Sequence, residues 1–101
     1  MKLLALEVES PDVAPEDFQP HLAAEARRVW ELYLAGTLRE IYFRADKTLA
    51  VLVLECDGVD AARAALDTLP LVKAGLVTFE VIPLAPYPGL SRLFADEASA
   101  P

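Results

Sequence analysis

The segment LAVLVLEC, at residues 49–56, is apolar on both of the faces that a β-strand would present. Successive side chains of a strand point to opposite faces of its sheet, so a half-exposed strand alternates apolar and polar residues. A strand that is apolar on both faces is typical of a central position with cover on each side. This segment therefore predicts a sheet with a buried middle strand.

Three further strand-like segments and two helical segments complete the pattern. The first helix is predicted to start near Pro15 or Pro20 and to end before Gly36, and the second to be capped by Asp57 or Gly58 and closed by Pro70. The other strands are predicted at residues 2–9, 38–44 and 76–84. The order β-α-β-β-α-β is typical of an α+β, ferredoxin-like fold, a four-stranded antiparallel sheet with both helices on one face.

The length of 101 residues suits a single domain. We expect that domain to span residues 1–95, with a C-terminal arm at 83–95. The last residues, 96–101, are small and acidic and are predicted to form a flexible tail.

The first helix is expected to direct an apolar stripe at the sheet. Residues with helical spacing that make up this stripe are Leu22, Ala26, Val29, Trp30, Tyr33 and Leu34. The charged residues Glu25, Arg28 and Glu31 would then form a solvated face.

The hydrophobic fraction of 54% is high for so short a chain. Two helices on one face leave the other face of the sheet bare, and large bare apolar faces are rare in soluble monomers. We therefore expect a homodimer or a higher homo-oligomer in which a second sheet packs on this face, with a cavity between the sheets.

The net charge of −7 argues against nucleic acids and anionic membrane surfaces as partners, because both attract basic patches. A single cysteine excludes an intrachain disulfide and fits a cytoplasmic protein. The chain has no apolar run approaching the roughly 20 residues of a membrane span.

The segment LREIYFRA, at residues 38–45, is unusual for a strand because it is rich in charge. Regular alternation groups Ile41 and Phe43 with Arg39 toward the helices. The same alternation directs the remaining residues to the open side of the sheet, namely Leu38, Glu40, Tyr42 and Arg44. A carboxylate, a phenol and a guanidinium between two sheets would form a small-molecule site. The alternative is a set of ordinary ion pairs on an edge strand.

His21 is the only histidine and lies near a helix start, where it is either a base or a solvated residue. The chain has no ligand spacing for a metal, and none is predicted. Its four glycines are separate, so it has no glycine-rich phosphate loop.

Two longer stretches, GTLREIYFRADKTLAVLVLE and LDTLPLVKAGLVTFEVIPL, resemble the muconolactone isomerase family within the dimeric α/β-barrel superfamily. The resemblance implies a ferredoxin-like protomer, dimers and cofactor-free isomerisation of a butenolide that carries a carboxylate. It assigns the base to Glu40 or His21 and substrate binding to Arg44, Tyr42 and Arg39. The family pattern has histidine at the position of Glu40 and tryptophan at that of Tyr42, which leaves the substrate open.

Two functions follow from these observations. The first is a small intramolecular isomerase that moves a proton on an enolisable acid or lactone in a cavity at the sheet interface of the dimer. The second is a non-catalytic small-molecule-binding or assembly protein of the same architecture.

Overall fold

The computed structural model describes residues 1–94. Its strands are β1 (Lys2–Val8), β2 (Leu38–Phe43), β3 (Ala50–Glu55) and β4 (Thr78–Pro83). Its α-helices are α1 (Pro15–Phe18), α2 (Leu22–Leu34), α3 (Val59–Leu66) and α4 (Pro70–Lys73), and 3-10 turns span Gln19–His21 and Pro88–Phe94. The predicted tail at 96–101 and the last residue of the predicted domain lie outside the described residues.

The four strands form one antiparallel sheet in the order β2-β3-β1-β4. This order and the intervening helices confirm the predicted ferredoxin-like α+β fold. The doubly apolar segment becomes β3, which lies inside the sheet between β2 and β1. Among the described residues, no helix is both long enough and apolar enough to cross a membrane.

The core lies between one face of the sheet and the helices. The strands contribute Leu3, Ala5, Leu38, Leu52 and Leu54, and the segments outside the sheet contribute Leu32, Ala62, Leu66 and Leu69. Leu3 and Leu54 are opposite each other in the register and are both fully buried. Complete burial of each leucine stabilises the fold by about 1.5–3 kcal/mol relative to exposure.

Helix α2 is rotated relative to the predicted orientation. Its inner side carries Leu32 and Val29 together with Glu25 and Arg28, which were expected to be solvated. The predicted stripe is therefore wrong for most of its members, because Leu22, Trp30, Tyr33 and Leu34 are exposed. Glu25 and Arg28 can face inward because each finds a hydrogen-bond partner there (described below), which removes the cost of leaving them unpaired.

Two glycines end helices in the left-handed conformation that only glycine adopts without strain. Gly36 has φ +82° and follows α2, and Gly75 has φ +74° and follows α4. After each glycine the next N–H donates to a carbonyl five residues back, from Thr37 to Leu32 and from Leu76 to Leu71. These are Schellman motifs. Pro70 opens α4 and does not close α3, which ends at Leu66.

Strand β2 contains a β-bulge that the regular alternation did not predict. Leu38 is opposite Leu54, but Glu40 is opposite Val53, so Arg39 is an extra residue. The prediction that Leu38 faces away from the helices is therefore wrong, since Leu38 is 1% exposed within the core. Beyond the bulge, Ile41 pairs with the buried Leu52, as predicted for a helix-facing residue.

The sheet face away from the helices, here called the open face, carries a half-buried apolar strip. This strip consists of Leu4, Leu6, Val51, Val53 and Ile82. The arm that follows β4 adds exposed apolar side chains, with Tyr87 at 70% and Leu93 at 76% exposure.

Candidate functional site

A cavity of about 620 Å³ opens on the helix-covered side of the sheet, and we call it the helix-side cavity. Its polar lining residues are Glu7, Glu9, Ser10 and Thr48. Its apolar walls are Val13, Pro15, Phe18, Leu22, Phe43, Leu49, Leu71 and Leu76. This volume and this mixture of apolar walls with a few polar groups are typical of sites for small molecules.

Glu7 reaches this cavity because it shares a strand face with Leu3 and Ala5, which point at the core. Its carboxylate accepts a hydrogen bond of 3.0 Å from the backbone N–H of Ala50, just beyond the last β1–β3 pair. Burial raises the pKa of Glu7, and the hydrogen bond from Ala50 offsets part of that increase. The carboxylate is therefore held in place and is more basic than an exposed glutamate.

Glu25 lies close to Glu7, on the inner side of α2. Its carboxylate accepts a hydrogen bond of 3.0 Å from the N–H of Leu71, one of the first-turn donors of α4 that have no partner within that helix. Burial raises the pKa of Glu25, and the charge of Glu7 raises it further, whereas the Leu71 hydrogen bond and the nearby charge of His21 lower it. Glu25 thus joins α2 to α4 beside the cavity.

A second polar contact fixes the same two segments. Arg28 donates from Nε to the hydroxyl of Thr68, at 2.8 Å, and pairs with Glu31 at 3.2 Å. Thr68 lies between α3 and α4, so this contact and the Glu25–Leu71 hydrogen bond together hold α2 against that connection.

On the open face, Tyr42 and Glu40 form a hydrogen-bonded pair. The phenol of Tyr42 donates to the Glu40 carboxylate at 2.6 Å. This hydrogen bond raises the pKa of Tyr42, because the carboxylate stabilises the protonated phenol. Both residues are exposed, and their partners in the register, Val51 and Val53, belong to the open face.

The two arginines predicted to bind substrate form contacts within the chain. Arg44 donates to Asp46 through two hydrogen bonds, at 2.8 and 2.6 Å, and this contact lowers the pKa of Asp46. Arg39 donates from Nε to the carbonyl oxygen of Gly36 at 2.8 Å. Neither guanidinium is bonded to Glu40.

The predicted site residues are thus divided between the two sides of the sheet. Glu40 and Tyr42 are together on the open face, whereas His21 lies on the helix side next to Leu22, which lines the cavity. Sequence reasoning missed Glu7 and Glu25. The signal for Glu7 was present, because alternation places this carboxylate on the same face as the buried Leu3 and Ala5.

Within residues 1–94, no group of three or more His, Cys, Asp or Glu side chains is placed to hold a metal ion. The one cysteine, Cys56, follows β3, is half-buried and has its pKa raised by burial. A thiol with a raised pKa has less of the reactive thiolate form at neutral pH.

Comparisons with known proteins agree with this fold. A muconolactone isomerase crystal structure superposes with a TM-score of 0.71 and 24% identity, over 87% of this chain and 92% of the other. The 5-chloro-2-hydroxyhydroquinone dehydrochlorinase TftG from Burkholderia phenoliruptrix, solved with 2,5-dihydroxybenzoquinone, gives a TM-score of 0.66 and 18% identity over 86% and 96%. A comparison with curated protein sequences finds no match.

The sequence family is shown by a more direct comparison. The family model described as muconolactone delta-isomerase matches residues 3–89. This range includes every α-helix, the whole helix-side cavity and all strand residues except Lys2, the first residue of β1. The chain therefore belongs to the muconolactone delta-isomerase family.

Proposed function

We propose that the protein is a small isomerase of the muconolactone isomerase type, which moves a proton on a small enolisable lactone or acid without a cofactor. We place this reaction in the helix-side cavity and assign the base to Glu7. Family membership supports the class of chemistry. The names of both similar structures, a lactone isomerase and a hydroxyhydroquinone dehydrochlorinase, support a small oxygenated ring as substrate.

One observation carries the proposal, which is the half-buried carboxylate of Glu7 in the cavity wall. A base for a carbon acid needs a pKa above that of an ordinary carboxyl group, and burial raises the pKa of Glu7 in that direction. Glu7 would take the proton from a carbon next to the carbonyl group. It would then return a proton to a second carbon of the enolate, so that a double bond moves and no group is gained or lost.

The developing enolate oxygen needs a hydrogen-bond donor. Ser10 and Thr48 line the same cavity and carry hydroxyl groups, so we assign this role to one or both of them. Glu25 is a positioning residue in this scheme, because it contacts the N–H of Leu71 and is not among the lining residues. His21, which is close enough to Glu25 to affect its pKa, is the second candidate for moving the proton.

The open face provides a second candidate site that requires another copy of the chain. The hydrogen-bonded pair of Glu40 and Tyr42 would lie between two sheets there, with Arg44 and Arg39 at the edge. The same hydrogen bonds support a non-catalytic function for this face. Glu40 is bonded to Tyr42, and Arg44 to Asp46, so these polar groups already satisfy one another.

The test compares proton transfer by the wild type with that of variants whose substituted glutamate lies on one or the other face of the sheet. The wild type is incubated with a butenolide in D₂O, and isomerisation and deuterium incorporation at carbon are followed by NMR. Glu7→Gln keeps an oxygen to accept from Ala50 but removes the base, so we expect turnover to fall by about 10²–10⁴-fold. Glu80→Gln is the matched control, because Glu80 is opposite Leu6 on the open face.

The outcomes separate the alternatives. A loss with Glu40→Gln, but not with Glu7→Gln, would move the site to the open face. Wild-type protein that binds such compounds with neither isomerisation nor deuterium incorporation would support the non-catalytic function.

A further inference from the structure

We infer that the substrate of the helix-side cavity is uncharged, a lactone or similar ring that lacks a free carboxylate. This inference rests on the proposed function, since it concerns the ligand of the same cavity. It differs from the expectation, taken from the family resemblance, that an arginine holds a substrate carboxylate.

The charge of the cavity wall is the first argument. Glu7 and Glu9 both line the cavity, and none of its described lining residues is a lysine or an arginine. Glu25 adds a third carboxylate close enough to Glu7 for their charges to interact. Glu7 and Glu25 are only partly exposed to water, so their charges are weakly screened and an anionic ligand would be repelled by this wall.

The positions of the arginines are the second argument. Arg44 follows Phe43, which lines the cavity, but its guanidinium is bonded to both carboxylate oxygens of Asp46. Arg28 is bonded to Thr68 and Glu31, and Arg39 to the Gly36 carbonyl oxygen. Recruiting any of these three to a ligand in the cavity would require existing hydrogen bonds to break.

The chemistry of the base is the third argument. Glu7 must be ionised to accept a proton from carbon, and a ligand carboxylate beside it would disfavour that form. An uncharged ring avoids this conflict. The apolar side chains of Phe18, Leu22 and Phe43 can pack on such a ring, while the hydroxyls of Ser10 and Thr48 can donate to its carbonyl oxygen.

The experiment measures binding of matched pairs of ligands. The probes are muconolactone and its methyl ester, together with a simple butenolide and the same ring bearing an acetate group. Dissociation constants are measured at pH 7 by NMR titration, and shifts of amides next to Glu7 and Thr48 confirm the cavity as the binding site. We expect each uncharged ligand to bind at least tenfold more tightly than its anionic partner.

Charge-removing variants test the cause. Glu9→Gln should reduce the ratio between the dissociation constants of the acid and the ester. Glu80→Gln, on the opposite face, should leave this ratio unchanged. Added salt should strengthen binding of the acids and leave that of the uncharged ligands unaltered.

Equal or tighter binding of the acids would overturn the inference, and so would failure of all four ligands to bind at millimolar concentration. Tight binding of the uncharged ligands without turnover would contradict the proposed function and leave this inference standing. Tight binding and turnover of the acids would support the proposed function and contradict the inference that the substrate is uncharged.

Discussion

The two faces of the central strands differ in what covers them, although both are apolar. On the helix-covered face, Leu3 and Leu54 are fully buried. On the open face, their neighbours Leu4 and Val53 are also opposite each other but remain half-buried. Adjacent residues of β1 or β3 therefore belong to different environments, one to the core of this chain and the next to a surface that no other element within residues 1–94 covers.

The comparison shows why hydrophobic composition alone could not separate core from interface. The 54% apolar content supplies both the buried face and the open-face strip, together with exposed residues of α2 and the arm. Obligate interfaces resemble a core cut in half, so we expect the open face to be covered by a second copy.

The largest difference between the two faces is expected in stability. Leu54→Ala removes a fully buried side chain and should lower the free energy of unfolding by about 2–5 kcal/mol. Val53→Ala, on the half-buried face, should cost less than about 1.5 kcal/mol in a monomer. Urea denaturation measures both, and equal losses at low protein concentration would contradict the distinction between the faces.

A smaller effect is expected on assembly. Leu6→Lys places a charge within the open-face strip and should weaken self-association at least tenfold, about 1.4 kcal/mol. Ala61→Lys, on the exposed surface of α3, is the control. Light scattering over a concentration series makes the measurement.

Assembly through the arm gives a different result. If Leu90→Lys dissociates the protein and Leu6→Lys does not, the arm and not the open face holds the copies together. A wild type that is monomeric at micromolar concentration would contradict the expected oligomer altogether.

The smallest effect is expected in the pH dependence of stability. Burial raises the pKa of Glu7 above its ordinary value of 4.5, so the folded state binds this proton more tightly than the unfolded state. The stabilisation from this group is present below pH 4.5 and is lost as the pH rises through the folded-state pKa.

Glu7→Gln should therefore gain stability relative to the wild type as the pH increases from about 4 to 7. Glu80→Gln, at an exposed position of the open face, should show no such trend. Unfolding by urea at several pH values tests this, and a difference between Glu7→Gln and wild type that stays constant with pH would show that Glu7 is not perturbed.

The order of elements and the central position of β3 could be predicted, because periodicity and apolar runs are local properties of the chain. The orientation of α2 could not, since it depends on partners that are distant in sequence, namely Leu71 for Glu25 and Thr68 for Arg28. The prediction from apolar periodicity alone directed toward the sheet the side of α2 that the structure leaves exposed.

The candidate site was less predictable than the fold. The helix-side cavity is assembled from the end of β1, the α1 region, the β2–β3 turn and the α4 region, and no local pattern joins these segments. Glu40 and Tyr42 were placed correctly on the open face because alternation holds beyond the bulge. Arg44 could not be assigned from alternation, since its partner Asp46 lies in the turn that follows β2.

Because of the bulge, β2 can lose one residue at the position of Arg39 without a change in the direction of the side chains on either side. A chain that lacked this residue would still place Leu38 toward the helices, Glu40 on the open face and Ile41 toward the helices. A deletion further along β2 would instead invert every side chain after it. Related chains can therefore differ by one residue at this position without exchanging their core for their open face, and alignments that place a gap here keep Glu40 and Tyr42 matched to residues on the same side.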